Sequence, residues 1–495
     1  MRFPGQVTFW VLGILLYVVA GDARAQDWPQ WRGVNRDAKA AFKAPESWPT
    51  ALAQKWKVPV GEGVATPALV GDRLYVFSRL DGKESLYCLD AASGKEIWKD
   101  QYESPGATGP ASSFSGPRSS PAVAEGKIVT LGVRGTLSCL DAATGKVLWR
   151  KDDFKGAVPR FFTSSSPIII DGMCIAQLGG GDNGALIAYD LASGDQKWTW
   201  TGDSPAYASP VLMTIDGLRL IIAETERRIV AIRLADGRQV WETPYAMEQG
   251  MRGYNASTPV VDGQVLIFSG SSRGTRAIRF EKDGDGVAVK EIWQNPDQAV
   301  QFNTPVVKDG LLFGLSQSNE LFCLDKQTGK AAWTVSVGPA EAGGPGMGGP
   351  GGMGGQGRRE RGGRDGAARE GDRGATSRPS DAERSTASRP REGAPGGREG
   401  MGPGGGREGR GRGPGGMGGR GGGSRGGYGS IVDAGTVLLA LTPASQLIVF
   451  APGDKQYTER AKIKVADTPT YAYPVASGSR LFIKDQDSVT LWTVE

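Results

Sequence analysis

Eight times along the chain a short apolar run opens on Ser-Pro, Thr-Pro or a weaker counterpart, bends at a Gly or Asp turn, and continues as a second apolar run. The copies are "TPALVGDRLYVFS" (66–78), "SPAVAEGKIVTLG" (120–132), "SPIIIDGMCIAQL" (166–178), "SPVLMTIDGLRLIIA" (209–223), "TPVVDGQVLIFSG" (258–270), "TPVVKDGLLFGLS" (304–316), "GSIVDAGTVLLAL" (429–441) and "YPVASGSRLFIKD" (473–485). A second motif follows most of them. It reads "LYCLDAASGKEIW" (86–98), "LSCLDAATGKVLW" (137–149), "LIAYDLASGDQKW" (186–198), "IVAIRLADGRQVW" (229–241) and "LFCLDKQTGKAAW" (321–333), with a stretched copy from Arg276 to Trp293. A self-similar period of this kind outranks any local propensity in deciding the fold.

Each unit reads as four short strands joined by Gly and Asp turns. Apolar residues alternate, as a half-buried antiparallel meander requires, and the three-to-four spacing of a helix is absent. Repeated four-stranded sheets predict an all-β fold, an eight-bladed β-propeller. With 1–25 and 341–427 set aside, the 495 residues give about 48 per unit, a normal blade length. The last copy ends without a fourth strand, whereas "AQKWKVPV" (53–60) is a Trp strand with no unit before it. Trp56 is therefore expected on the outer strand of blade eight, so that the chain ends close the ring and leave no unpaired face.

Five segments follow. Residues 1–25 read as a secretory signal: Arg2, an apolar run from Val7 to Ala20, and "ARA" before Gln26. The alternative is an uncleaved anchor; both predict export, to the periplasm or the exterior, with a soluble or peripheral mature chain. Residues 26–52 are a lead segment, 53–340 carry the closing strand and blades one to six, 341–427 an insert, and 428–495 blades seven and eight. The insert is Gly, Arg, Pro, Glu and Ser with little to bury, and is expected to be disordered. It holds sixteen Arg against ten Asp and Glu, a net charge of +6 beside +5 for the whole chain. The basic balance thus belongs to the insert, which suits a loop touching anionic glycans or a membrane surface. It lacks the interleaved aromatics of a nucleic-acid binder, and no nucleic-acid partner is expected.

The chain has no histidine, which excludes Ser-His-Asp and Cys-His catalysis and His-bound zinc, iron or copper. The spacing Asp-x-x-x-Gly-x-x-x-Trp recurs as Asp90/Gly94/Trp98, Asp141/Gly145/Trp149, Asp190/Gly194/Trp198 and Asp325/Gly329/Trp333. Asp can accept N–H bonds from its turn, Gly permits a positive φ, and the Trp is free to pack on the neighbouring blade. Trp241 and Trp293 are expected to do the same, as is Trp56. Two residues before the Asp stands Cys88, Cys139, Ala188, Ala231 or Cys323, so this position asks for a small side chain. Cysteines on different spokes of a ring should lie beyond the roughly 7 Å that a disulfide spans; Cys174 falls on an inner strand. "KDGDG" (282–286) lacks the ligand set of a calcium loop and reads as a hairpin turn, and "NAS" (255–257) runs straight into a strand.

Residues before each Ser/Thr-Pro should gather at one mouth of the ring. They are Arg118, Arg160, Phe161, Tyr207, Arg252, Tyr254, Asn255, Gln301, Asn303, Tyr471 and Tyr473. Such a polar, aromatic funnel suits a peptide segment, a glycan or an anion. The bland alternative is that these side chains brace adjacent blades and fill the channel.

The Asp-Gly-Trp pattern resembles the tryptophan-docking repeat of quinoprotein (PQQ) dehydrogenase propellers. It is closer to PQQ-like repeat proteins without catalytic function, among them the eight-bladed BamB family of outer-membrane β-barrel assembly factors. "DWPQWRGVNRDA" (27–38) and "GPRSSPAV" (116–123) resemble exported planctomycete PQQ-like propellers. The resemblance to the enzymes implies PQQ, a calcium ion on acidic and amide side chains, an Asp base and often a vicinal disulfide. No adjacent Cys pair exists here, and no calcium set falls on a matching motif. The expectation is therefore a monomeric, non-catalytic scaffold without cofactor, binding envelope proteins or peptide segments in cell-envelope assembly. The alternatives are a PQQ- and calcium-dependent oxidoreductase and a glycan-binding propeller. The lipobox Cys that anchors BamB-like lipoproteins is missing from the cleavage site.

Overall fold

The computed structural model describes residues 27–246, 254–338 and 427–494; the segment expected to be a signal (1–25) and, save for Gly427, the insert expected to be disordered (341–427) lie outside the described residues. Among the described residues the strands form eight four-stranded antiparallel sheets, the expected eight-bladed propeller. Blade one is typical, with strands Ala68–Val70, Arg73–Leu80, Lys83–Asp90 and Glu96–Glu103 counted outward from the axis. Blade eight is composite. Its strands Val475–Ser477, Arg480–Lys484 and Ser488–Thr493 are completed by Ala53–Pro59, with Trp56 opposite Leu491 and Pro59 opposite Ser488. The ends of the chain close the ring.

The outer strand carries a bulge at the same rung in each of the first six blades. In blade one Cys88 faces Trp98 and Leu89 faces Glu96, so Ile97 is extruded. The residue facing the Trp is Cys139, Ala188, Ala231, Ala277 or Cys323 in the next five. A small residue there leaves room for the bulge, which turns the indole toward the next blade. The ring then lies on that blade's turn glycine. A Cβ on Gly145 would stand 2.6 Å from Trp98, and one on Gly329 2.4 Å from Trp293. Those glycines have φ of 73° and 69°, so any side chain is excluded by both space and conformation. Trp149 meets Gly194, Trp198 meets Gly237 and Trp56 meets Gly94 in the same way. Asp90, Asp141, Asp190 and Asp325 cap their turns by accepting from Ser93, Thr144, Ser193 and Thr328 N–H at 2.8–3.0 Å.

Three junctions depart from the rule; in one, blade seven sets Ala461 in place of a Trp opposite Val449 at the bulged rung. Blade five replaces the short turn with a long hairpin, Gly274–Asp283 and Gly286–Asn295, which includes "KDGDG". Trp241 therefore meets Phe280 edge-on, centroids 4.9 Å apart. Trp333 donates to Gly453 O at 2.8 Å and packs on Phe450 and Tyr457. The four cysteines are buried free thiols. Burial pushes Cys88 up to about 11 and the others higher, so none is a thiolate near neutral pH. Cys174 stands on the second strand of blade three.

The Ser/Thr before each Pro has its own task. Thr66 N–H donates to Ser120 Oγ, Ser120 to Ser166, Ser166 to Ser209, Ser209 to Thr258 and Thr258 to Thr304, at 2.8–3.1 Å. Tyr473 N–H returns to Thr66 Oγ1 at 3.0 Å. Hydroxyl links thus run round the axis from blade eight through blade one to blade six, joining six successive pairs of blades. The following Pro has no N–H to leave unpaired and starts the strand.

Candidate functional site

The lead segment fills the lower end of the axis. Trp28 bridges to Leu69, Lys39 to Asp433 and Phe42 to Gly478, and Pro29 O accepts from Val123 N. Two arginines rise from it. Arg32 donates to Thr304 O (2.9 Å), Pro305 O (2.8 Å), Arg36 O (3.2 Å) and Tyr473 Oη (3.2 Å). Arg36 donates to Pro210 O (2.7 Å), Ser166 O (3.3 Å), Gln30 Oε1 (2.9 Å) and Pro167 O. The segment so reaches seven of the eight blades. No carboxylate among the described residues pairs with either guanidinium; carbonyl oxygens, with the Tyr473 hydroxyl for Arg32, hold them, and burial lowers Arg36 to about 9.

The crossovers between blades meet at the upper end. Seven of them each contribute one half-buried aromatic side chain: Phe114, Phe161, Tyr207, Tyr254, Phe302, Tyr428 and Tyr471. They pack as two groups. Phe302 stacks on Tyr428 at 4.2 Å, and Phe114 lies 5.9 Å from Tyr428 and 5.0 Å from Tyr471. Phe161 meets Tyr254 at 4.5 Å, and Tyr254 meets Tyr207 at 5.7 Å. Arg118 joins the groups by donating to Phe114 O (2.9 Å), Ala111 O (3.3 Å) and Phe161 O. Desolvation lowers its pKa, while Tyr207 and Tyr428 act in the opposite direction. Tyr207 Oη accepts from Phe161 N–H at 2.8 Å, and burial raises its pKa to about 12.

Of the eleven residues expected at the mouth, Arg118, Phe161, Tyr207, Tyr254 and Tyr471 come together there. Arg160 is exposed, 5.5 Å over the Phe161 ring, and Gln301 lies beside Gly427. Asn255 and Asn303 are buried braces. Their amides donate to Thr225 O (2.8 Å) and Leu315 O (2.7 Å), which leaves Asn255 no room as a glycan acceptor. Tyr473 belongs to the floor: its hydroxyl meets Arg32 and its ring meets Trp31 at 5.9 Å. Arg252 lies outside the described residues. Phe114, Phe302 and Tyr428 went unread, as did Arg32 and Arg36. Phe302 stands three residues before its Pro, as Arg118, Tyr207 and Tyr471 do, so the period alone marks it.

Lys484, at the top of blade eight, is buried and donates to Gly61 O (3.1 Å) and Asp485 O (2.8 Å). Desolvation lowers it to about 8, against the pull of Asp485, Asp487 and Glu62. Below pH 8 both folded and unfolded chains carry this proton, and the burial cost is present in full. As pH rises from 8 to 10.5 only the unfolded chain keeps it, so stability should rise. Relative to Lys484→Met, the wild type should gain about 3 kcal/mol between pH 7 and 10.5, read by urea unfolding at each pH.

The family model described as outer membrane protein assembly factor BamB, PQQ_2, matches residues 45–113 and 108–335. The chain belongs to the PQQ_2 family. Among the relatives, BamB of Burkholderia pseudomallei is 24% identical over 57% of this chain and 68% of that one. Quinohemoprotein alcohol dehydrogenase of Comamonas testosteroni is 27% identical over 37% of this chain, and the match spans only 27% of the dehydrogenase. The solved structure of BamB from Moraxella catarrhalis superposes with a TM-score of 0.51 at 14% identity, covering 90% of this chain and 100% of that chain. The Comamonas dehydrogenase structure gives 0.56 at 13%, covering 96% and 81%. Identity this low carries the fold alone.

The PQQ_2 fold is thus shared by dehydrogenases and assembly factors, and the residues of each site must decide between them. Among the described residues, the features that the dehydrogenase resemblance implies for a quinone and calcium site do not come together. No three of Asp, Glu, Cys and His converge to hold a metal among the described residues. The cysteines are separate free thiols, and the rings of the mouth pack on one another. What the described residues of the mouth offer is aromatic faces, tyrosine hydroxyls and guanidinium groups.

Proposed function

We propose that this PQQ_2 propeller is a non-catalytic binding scaffold in outer-membrane protein assembly, taking protein segments at its aromatic mouth. The observation that carries this reading is the gathering of one aromatic side chain from each of seven crossovers on a floor sealed by the lead segment. Rigid aromatic side chains supply contact area at low entropic cost and are enriched in protein interfaces. The BamB relatives support the same role, and the family's cellular setting agrees with an exported chain.

The test is crosslinking in the envelope of the producing cell, followed by mass spectrometry of captured proteins. The wild-type chain should enrich outer-membrane β-barrel proteins or their assembly machinery, and Tyr254→Ala/Tyr428→Ala should lose roughly tenfold or more of that capture, the effect of truncating two interface anchors. Equal capture by both chains would sink the reading. The dehydrogenase relatives favour a quinone-dependent oxidoreductase as the rival. With PQQ and Ca²⁺ added, the rival requires bound-quinone absorbance and dye-linked alcohol oxidation, and the scaffold reading expects neither.

A further inference from the structure

One position recurs in each blade two residues beyond the rung that opens the pairing of its first two strands. It is Leu131 in blade two, Gln177 in three, Glu224 in four, Ser269 in five and Leu315 in six. Gln177 is anchored there, its amide donating to Ala208 O (2.9 Å) and Ser165 Oγ (3.3 Å). In blade four the counterpart of Ser165 is Ala208, which has no hydroxyl. Glu224 is 0% exposed, and neither carboxyl oxygen has a partner.

Around it lie other unmatched groups. Arg273, in the turn between the second and third strands of blade five, holds its guanidinium 3.8 Å from the centre of the Tyr245 ring and donates to Tyr245 O, while its Nε has no partner. Tyr245 Oη and Asn255 Oδ1 are buried without partners as well. Asn255 Nδ2 shares Tyr245 O at 3.0 Å and holds Thr225 O, next to Glu224. A carboxyl with no donor, within electrostatic reach of a cation with a spare donor, is a junction with two available pairings.

We propose that Arg273 is a switchable pin with two anchors: it rests on Tyr245 while Glu224 carries a proton, and swings to the Glu224 carboxylate when that proton leaves for solvent, loosening the junction of blades four and five. A bare carboxylate without donors is the costliest state of this interior, and among the described residues the cation that acts on it is the one that pins Tyr245. The charged groups around the carboxyl are few. Arg273 acts on it directly, and Arg276 acts on Tyr245. Asp203, which binds Thr225 Oγ1, is matched by Arg227 and Arg228. Burial raises Glu224 well above the carboxylate range, with Arg273 opposing, so the junction loosens as pH rises. Because Asn255 O also accepts from Tyr207 N–H at 2.9 Å, the change reaches the mouth. That last consequence rests on the proposed function; the switch itself does not.

Hydrogen exchange of the full chain from pH 5 to 9, corrected for the intrinsic rate, tests it in peptides covering 239–246 and 255–260. Wild-type exchange there should rise roughly tenfold across the range, as for a local opening. Glu224→Gln, which puts in blade four the residue blade three already uses, should hold the slow rate throughout. Arg273→Gln should exchange fast at every pH. One shared profile for wild type and Glu224→Gln overturns the proposal. So does a pH step that persists in Arg273→Gln, which remains decisive if Glu224→Gln does not fold. Loss of the pH step with envelope capture unchanged would leave the switch standing and remove only its link to the mouth.

Discussion

Unfolding of Trp149→Ala should begin at markedly lower denaturant, with a loss of about 3–5 kcal/mol. The indole is 8% exposed, lies on the Gly194 turn of the next blade, and donates to Leu191 O at 3.1 Å. Truncation empties the wedge between blades two and three and leaves that carbonyl with only the weak Cys139 Sγ donor at 3.5 Å. Relaxation cannot refill the gap, because the glycine turn has no side chain to bring in. Trp98→Ala provides the internal control. Its indole N–H has no partner, since Tyr75 Oη takes Ala142 O at 3.0 Å, so its loss should be smaller by about 1 kcal/mol, one net hydrogen bond. Equal losses at the two sites would show that the hydrogen bond contributes nothing, and a loss below about 1 kcal/mol at Trp149 would show that the wedge is not structural.

Arg32→Ala should be as damaging, at roughly 3–5 kcal/mol. It strips the donor from Thr304 O, Pro305 O and Arg36 O in a place no water reaches from the side, and empties the centre of the floor. Arg32→Lys should recover little of this, because one ammonium cannot reproduce a planar fork directed at carbonyls of two segments. Urea unfolding gives the stability. Limited proteolysis gives the location, since cleavage within 27–52 should precede cleavage of the blades in both variants. Protection of the lead segment in Arg32→Ala would show that its other bridges suffice.

The repeat made the ring legible because it writes one physical task over and over. Gly145, Gly194 and Gly329 sit under indoles, and the small residues Cys88, Ala188 and Cys323 sit opposite them, so a Cys-or-Ala alternation already declared a size limit and no chemistry. The closing strand could be read for the same reason, from a Trp strand lacking a unit and a unit lacking a Trp strand. The floor could not. Arg32 and Arg36 stand in a segment without internal period, and their partners are backbone carbonyls, which leave no mark on sequence. Part of the mouth was hidden likewise: Phe114 comes from a short 3-10 turn, Gly109–Phe114, that no other blade shows among the described residues. Tyr473 was placed wrongly because standing next to a Pro fixes a side chain's height along the axis but not whether it faces up or down.

The composite eighth blade also decides how the molecule bears load. Ala53 lies opposite Thr493, so the start of the closing strand and the end of the strand it pairs with stand side by side at one end of the sheet. Tension between them would open that pairing one rung at a time, like a zip, rather than shear all rungs together. Pulling on the amino end meets the lead segment first, and Arg32 and Arg36 must quit their carbonyls before any force arrives at Ala53. The lead segment is therefore a strain relief for the seam it precedes.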